Sequence, residues 1–168
     1  MLIIKNDIKD YKYDNLLSYM MLRCDTFTFV IPDFETNSPA GFRSNDFIEY
    51  KKRINWRLDF LKPYIIKVYN DKDYFGNWGD YYKEIYVVQF NEFSRGCLAA
   101  SSLYSWKYPE LPEDLCFFSK GKCFLSSVAH EEMCWIFPDH DIEKDILKKV
   151  IGLKFYEREG IEAPLLNL

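Results

Sequence analysis

Fourteen phenylalanines, thirteen tyrosines and four tryptophans in a chain of 168 residues leave little freedom about what it can become. Each ring can remove about 150–250 Å² from water when buried. The rings therefore have to be gathered into a large core, with some Tyr and Trp left to face a partner. A domain of this length buries roughly 70% of the surface its unfolded chain exposes. One globular domain over residues 1–168 can thus hold that core without disulfide or metal staples. The rest of the composition, 48% hydrophobic and 29% charged, is that of an ordinary folded domain.

The formal net charge of −4 argues against a broad nucleic-acid surface, because neutralising phosphates takes clustered Lys and Arg. The longest basic feature is Lys51-Lys52-Arg53 with Arg57 one turn on, and it reads as the solvated face of a helix. The apolar run at Met1-Leu2-Ile3-Ile4 falls short of the ~7–15 residues of a signal peptide. No stretch approaches the ~18 apolar residues of a membrane span. The five cysteines, Cys24, Cys97, Cys116, Cys123 and Cys134, are odd in number and lie in apolar settings, which predicts reduced thiols and no disulfide. A cytoplasmic protein with no nucleic-acid or membrane partner is expected.

Hydrophobic periodicity divides the chain further. Tyr13, Leu16, Leu17, Met20 and Cys24 recur at helical steps and predict a helix over 10–24. Thr26 to Ile31 is β-branched and aromatic, a strand signature ended by Pro32. Residues 33–43 read as a loop. A second helix over about 46–61 follows, with Ser44 as a candidate N-cap, the stripe Phe47, Tyr50, Ile54, Leu58 and Leu61, and a stop at Pro63. Residues 64–69 and 82–90 predict two paired strands joined by a loop bearing Tyr74, Phe75 and Trp78.

A third helix is predicted over 92–106 from the spacing of Phe93, Cys97, Ala100 and Tyr104. Pro109 and Pro112 then impose an extended connection. Residues 115–127 read as a hairpin turning at Ser119 to Lys122, and Glu132 to Phe137 as a buried strand. The last helix shows one face of Ile142, Ile146, Leu147, Val150 and Ile151, with an Asp145–Lys149 pair on the other and Gly152 as its left-handed cap. The order predicts an α+β fold: a mostly antiparallel sheet of five to six strands with helices packed on one face. Phe27, Phe29, Val87, Leu115, Trp135, Ile136, Ile146 and Val150 are expected in the core.

His130-Glu131-Glu132 is the most enzyme-like string. A zincin helix needs a second histidine four residues on, and Cys134 stands there. His130 with Glu131, or with Ser126 or Ser127, could serve a general-base mechanism, yet neither serine sits on the sharp, glycine-flanked turn such a nucleophile uses. Cys116, Cys123 and Cys134 with His130 could in principle hold zinc, but lack the short ligand spacing of structural sites. Buried thiols packing as small hydrophobes are the stronger reading. No metal and no cofactor are expected. Trp78, in Phe75-Gly76-Asn77-Trp78-Gly79-Asp80, would make a good binding anchor if exposed on its loop.

Leu103-Tyr104-Ser105-Trp106, then Pro109-Glu110-Leu111-Pro112-Glu113-Asp114-Leu115, then Ala129-His130-Glu131, resembles the pattern of a small, largely uncharacterised bacterial family. Some of its members carry the label stage III sporulation protein AH. The resemblance covers about residues 100–152 and implies no catalytic residues. Such small bacterial proteins also resemble immunity proteins encoded beside toxins. Read physically, the motif lets His130 pin the Pro109–Asp114 connection by bonding Glu113 or Asp114. Trp106, Glu113, Asp114, His130, Glu131 and Trp78 are the candidate structural or partner-contact residues. The expected function is non-catalytic binding of another protein, with an immunity-type protein that binds and neutralises a toxin as its specific form. A small hydrolase or transferase using His130, or a structural or regulatory role in a sporulating bacterium, are the alternatives.

Overall fold

The computed structural model describes residues 1–4, 6–32, 44–71 and 83–166. Its frame is one antiparallel sheet built from β1 (Leu2–Ile4), β2 (Thr26–Pro32), β3 (Ile65–Asp71), β4 (Lys83–Gln89), β5 (Glu113–Ser119), β6 (Lys122–Val128), β7 (Met133–Ile136) and β8 (Phe155–Glu157). Their order across the sheet is β3-β4-β2-β5-β6-β7-β1-β8. The fold is α+β, as the sequence predicts, but with eight strands rather than five or six. The two additions, β1 and β8, are three residues long, too short to display an alternation. They exist because β1 inserts between β7 and β8, where Ile3 faces Trp135 on one side and Tyr156 on the other.

The predicted hairpin closes through Lys120 and Gly121, both with positive φ (51° and 78°). That is the two-residue turn whose twist matches paired strands. Alternation along β2 then sorts the interior. Phe27, Phe29 and Ile31 join a core with Leu115, Phe117 and Leu125, and with the buried stripes of α1 (Asp10–Arg23) and α2 (Ser44–Leu61). Rings carry much of the packing there: Phe90 meets Phe27 and Phe117 edge-on at 5.6 and 5.1 Å, and Phe29 stacks on Tyr86 at 5.0 Å. A second cluster on other sheet residues gathers Val87, Cys116, Phe118, Cys123, Phe137 and Leu166. Trp135 packs against this cluster and is only partly buried. Ser44 is already the first helical residue, so the capping position falls one residue earlier, outside the described residues. The loops at 33–43 and around Trp78 also lie outside them.

Two helical expectations are corrected. In place of a helix over 92–106 stand a four-residue α3 (Glu92–Arg95) and short 3₁₀ turns at Gly96–Leu98 and Leu103–Ser105. Asn91 caps α3 by accepting from the Phe93 and Ser94 N–H groups at 3.0 and 2.9 Å. The helix cannot run on because Arg57 of α2 takes the carbonyls of Cys97 and Ala99, each at 3.2 Å. Ser102 and Ser105 then cap each other to start the next turn.

The last helix begins as α4 (Asp141–Asp145) and widens to a π-helical turn over Ile146–Val150, with the Ile151 N–H donating to Ile146 O at 3.1 Å. Its buried face is Glu143, Leu147 and Ile151, while Ile142 is exposed, Ile146 partly so, and Val150 is 71% exposed. The cause is polar. The Glu143 carboxylate accepts from the Asp139 and His140 N–H groups at 2.6 and 3.1 Å and from Arg23. That network rotates Glu143 inward and Ile142 outward. Asp145 and Lys149 pair at 2.9 Å, and Gly152 adopts φ +77° after the last turn.

Candidate functional site

The connection between the Leu103–Ser105 turn and β5 carries most of the motif residues. Trp106 is 1% exposed. Its indole N–H donates to the Tyr13 hydroxyl, which donates on to Leu98 O, both at 2.9 Å. A ring so buried, with its one donor satisfied, packs the core. The segment after it is not the extended run its prolines predict. The Glu110 and Leu111 N–H groups fold back to Lys107 O at 3.2 and 3.1 Å, forming a turn that includes a cis Tyr108–Pro109 bond.

This turn sets the Tyr108 N–H against Glu113 Oε1 at 3.0 Å. Glu113 is 2% exposed, and its Oε2 is buried with no hydrogen-bond partner. Burial, reinforced by the neighbouring Asp114 charge, pushes the Glu113 carboxyl up to about 8; the Tyr108 N–H and Lys83 pull weakly the other way.

Asp114 occupies the left-handed region (φ 53°) at an irregularity in the β2–β5 register, between Thr28 and Val30. Asp and Asn tolerate that conformation better than most residues. Its Oδ1 accepts from the Ala129 N–H at 3.1 Å, so the motif's two halves meet as expected. The pinning bond comes from the backbone of Ala129. The His130 imidazole stands farther off, with Nδ1 4.0 Å from Asp114 Oδ1 and Nε2 3.8 Å from Glu131 Oε1. His130 and Glu131 sit on a 3₁₀ turn, Ala129–Glu131, closed by Glu132 at φ 54°, and both face solvent. Glu113, Asp114 and His130 each bring a donor atom within 4.8 Å of the others, the convergence of this kind found among the described residues.

The other chemical readings find less geometry. Ser127 is buried in β6 with its hydroxyl donating to Leu115 O at 2.8 Å, and Ser126 is buried beside the Cys116 sulfur. Cys116 and Cys123 share one cluster while Cys134 belongs to the other. All five cysteines are buried and outside any disulfide; burial raises the Cys24 thiol to about 12 and the Cys134 thiol well above its ordinary value. Such thiols stay protonated and are poor nucleophiles or ligands. Trp78 lies outside the described residues.

A second surface is not marked by any motif. On α2, Trp56 (53% exposed) and Phe60 stand one turn apart on the outer ridge, and the Arg57 guanidinium lies 4.4 Å from the Trp56 ring centre. Three residues past the helix end, Tyr64 stacks on the exposed Phe93 at 6.3 Å with the rings 4° from parallel. Next comes β3, an edge strand of the sheet, bearing exposed Ile66 and Val68. On the side of α2 where Arg57 reaches Cys97 and Ala99 there is a groove of about 390 Å³, with Ala100, Tyr108, Pro109 and Leu111 in its wall. The signal for this surface was available in the sequence: Trp56 and Phe60 fall off the apolar stripe that buries α2.

Compared with protein-family models, with curated proteins and with solved structures, the chain gave no match.

Proposed function

We propose that this chain is a non-catalytic protein-binding domain that docks another protein on the surface formed by the outer ridge of α2 and the edge of β3. The observation that carries the reading is the exposure of Trp56, Phe60, Phe93, Ile66 and Val68 beside β3, the edge strand of the sheet among the described residues. Edge strands offer a row of backbone donors and acceptors that another chain can extend. Large rings next to such an edge supply the desolvated anchors from which binding energy is drawn. The specific form of this reading is an immunity-type role in which the domain covers and neutralises a toxin.

The test is co-expression with the protein encoded by the adjacent gene, followed by size-exclusion chromatography of the pair. A stable complex is expected, weakened at least about tenfold by Trp56→Ala together with Phe60→Ala, since a hot-spot ring is worth about 2 kcal/mol or more. Absence of a complex, or a complex indifferent to the double substitution, would remove this reading.

A further inference from the structure

We infer that Glu113, Asp114 and His130 form a binding site for a first-row divalent cation such as Zn²⁺ or Mn²⁺. Two observations converge. The three donor atoms lie within 4.8 Å of one another, wider than the ~3–3.6 Å between neighbouring ligands held ~2.0–2.2 Å from a shared ion, a difference that a small rotation of the solvent-facing His130 side chain can close. Glu113 is almost wholly buried, and its Oε2 makes no hydrogen bond, although an unsatisfied buried carboxylate oxygen is costly. A cation would supply the missing partner.

The remaining contacts resemble an outer shell that orients ligands. The Tyr108 N–H holds Glu113 Oε1, the Ala129 N–H holds Asp114 Oδ1, and Glu131 Oε1 stands 3.8 Å from His130 Nε2. Nδ1 is the imidazole nitrogen on the Asp114 side, 4.0 Å from Asp114 Oδ1, and Nε2 the one on the Glu131 side. Two carboxylates and an imidazole suit Zn²⁺, Mn²⁺, Fe²⁺ or Co²⁺ and exclude a preference for soft ions such as Cu⁺. The His130 side chain is 32% exposed, so an ion can enter from solvent and keep open positions on that side.

The experiment is titration of the full chain, stripped with chelator and kept reduced, with Co²⁺ as a spectroscopic probe and Zn²⁺ as competitor. The expected result is one equivalent bound, with visible ligand-field bands, no thiolate-to-metal charge transfer, and a higher melting temperature with Zn²⁺. Glu113→Gln, which preserves shape, and His130→Ala, at a solvent-facing position, should each weaken binding by about a hundredfold or more, and Glu131→Gln by about tenfold. Circular dichroism confirms that each variant is folded, and His130→Ala serves alone if Glu113→Gln is not. A thiolate signature, no saturable binding, or affinity unchanged in the folded variants would overturn the inference.

Discussion

Trp106 and Trp56 show how differently two regions of this molecule use the same side chain. Around Trp106 the chain turns its chemistry inward: the indole N–H is satisfied by Tyr13, and the nearby Tyr104 N–H is satisfied by Asp7 at 3.0 Å. Around Trp56 the rings lie outside the packed stripe of α2, a cation covers one of them, and the adjacent β3 is the edge strand of the sheet among the described residues. The motif that stands out in the sequence thus holds a core tryptophan and the proposed cation site, while the unmarked ridge carries the surface proposed for docking. What separates the two is burial: Trp106 is 1% exposed and Trp56 53%.

That contrast can be broken most directly at Trp106. Trp106→Ala should cost about 3–5 kcal/mol in urea denaturation, the usual loss for a large buried ring; a cost under about 1 kcal/mol would mean that the connection is not core. Glu113 gives the next largest effect. The folded state holds its proton to about 8 against an ordinary value of 4.5. The stability it contributes is complete below about 4.5 and is lost as pH rises through about 8. In chelator-treated protein, wild type should therefore lose stability relative to Glu113→Gln, on the order of a few kcal/mol, between about pH 5 and pH 9. Parallel pH profiles of the two would show that the carboxyl is not held neutral.

Asp114→Ala removes the acceptor for the Ala129 N–H and should cost about 1–3 kcal/mol. Asp114→Asn, which keeps an acceptor and tolerates the left-handed backbone, should recover most of it. Equal losses in the two would place Asp114's role elsewhere than in that bond. At the outer ridge the sign of the contrast reverses: Trp56→Ala should shift folding stability by no more than about 0.5 kcal/mol, although it sits at the proposed docking surface. A large loss there would make Trp56 a packing residue and erase the difference between the regions.

The sequence revealed elements wherever one period ran long enough. The stripe of α1, the alternation of β2 and the β5–β6 hairpin emerge as read, because burial of one face enforced the pattern. β1 and β8 are defined by their neighbours and carry too few residues for a period. The helix expected over 92–106 had apolar spacing, but spacing says nothing of Arg57 arriving from another element to take the carbonyls it needed. The buried face of the last helix was displaced by Glu143, a charge whose partners Arg23, Asp139 and His140 become visible only in three dimensions. At the site, the meeting of Asp114 with the Ala129–Glu131 turn was legible from the motif. The burial of Trp106 and the bare oxygen of Glu113 were not, since both depend on packing.

β1 ties Leu2 to Ile136 on one flank and to Glu157 on the other, partners separated from it by most of the sequence. A ribosome releases β1 ahead of the other seven strands, long before either flank exists. Hairpins such as β3–β4 and β5–β6 close locally and can form while synthesis continues, whereas pairing across such a separation is entropically late. Until then Leu2 and Ile4, buried in the finished fold, travel without a sheet to cover them. β1 waits for β7 and β8.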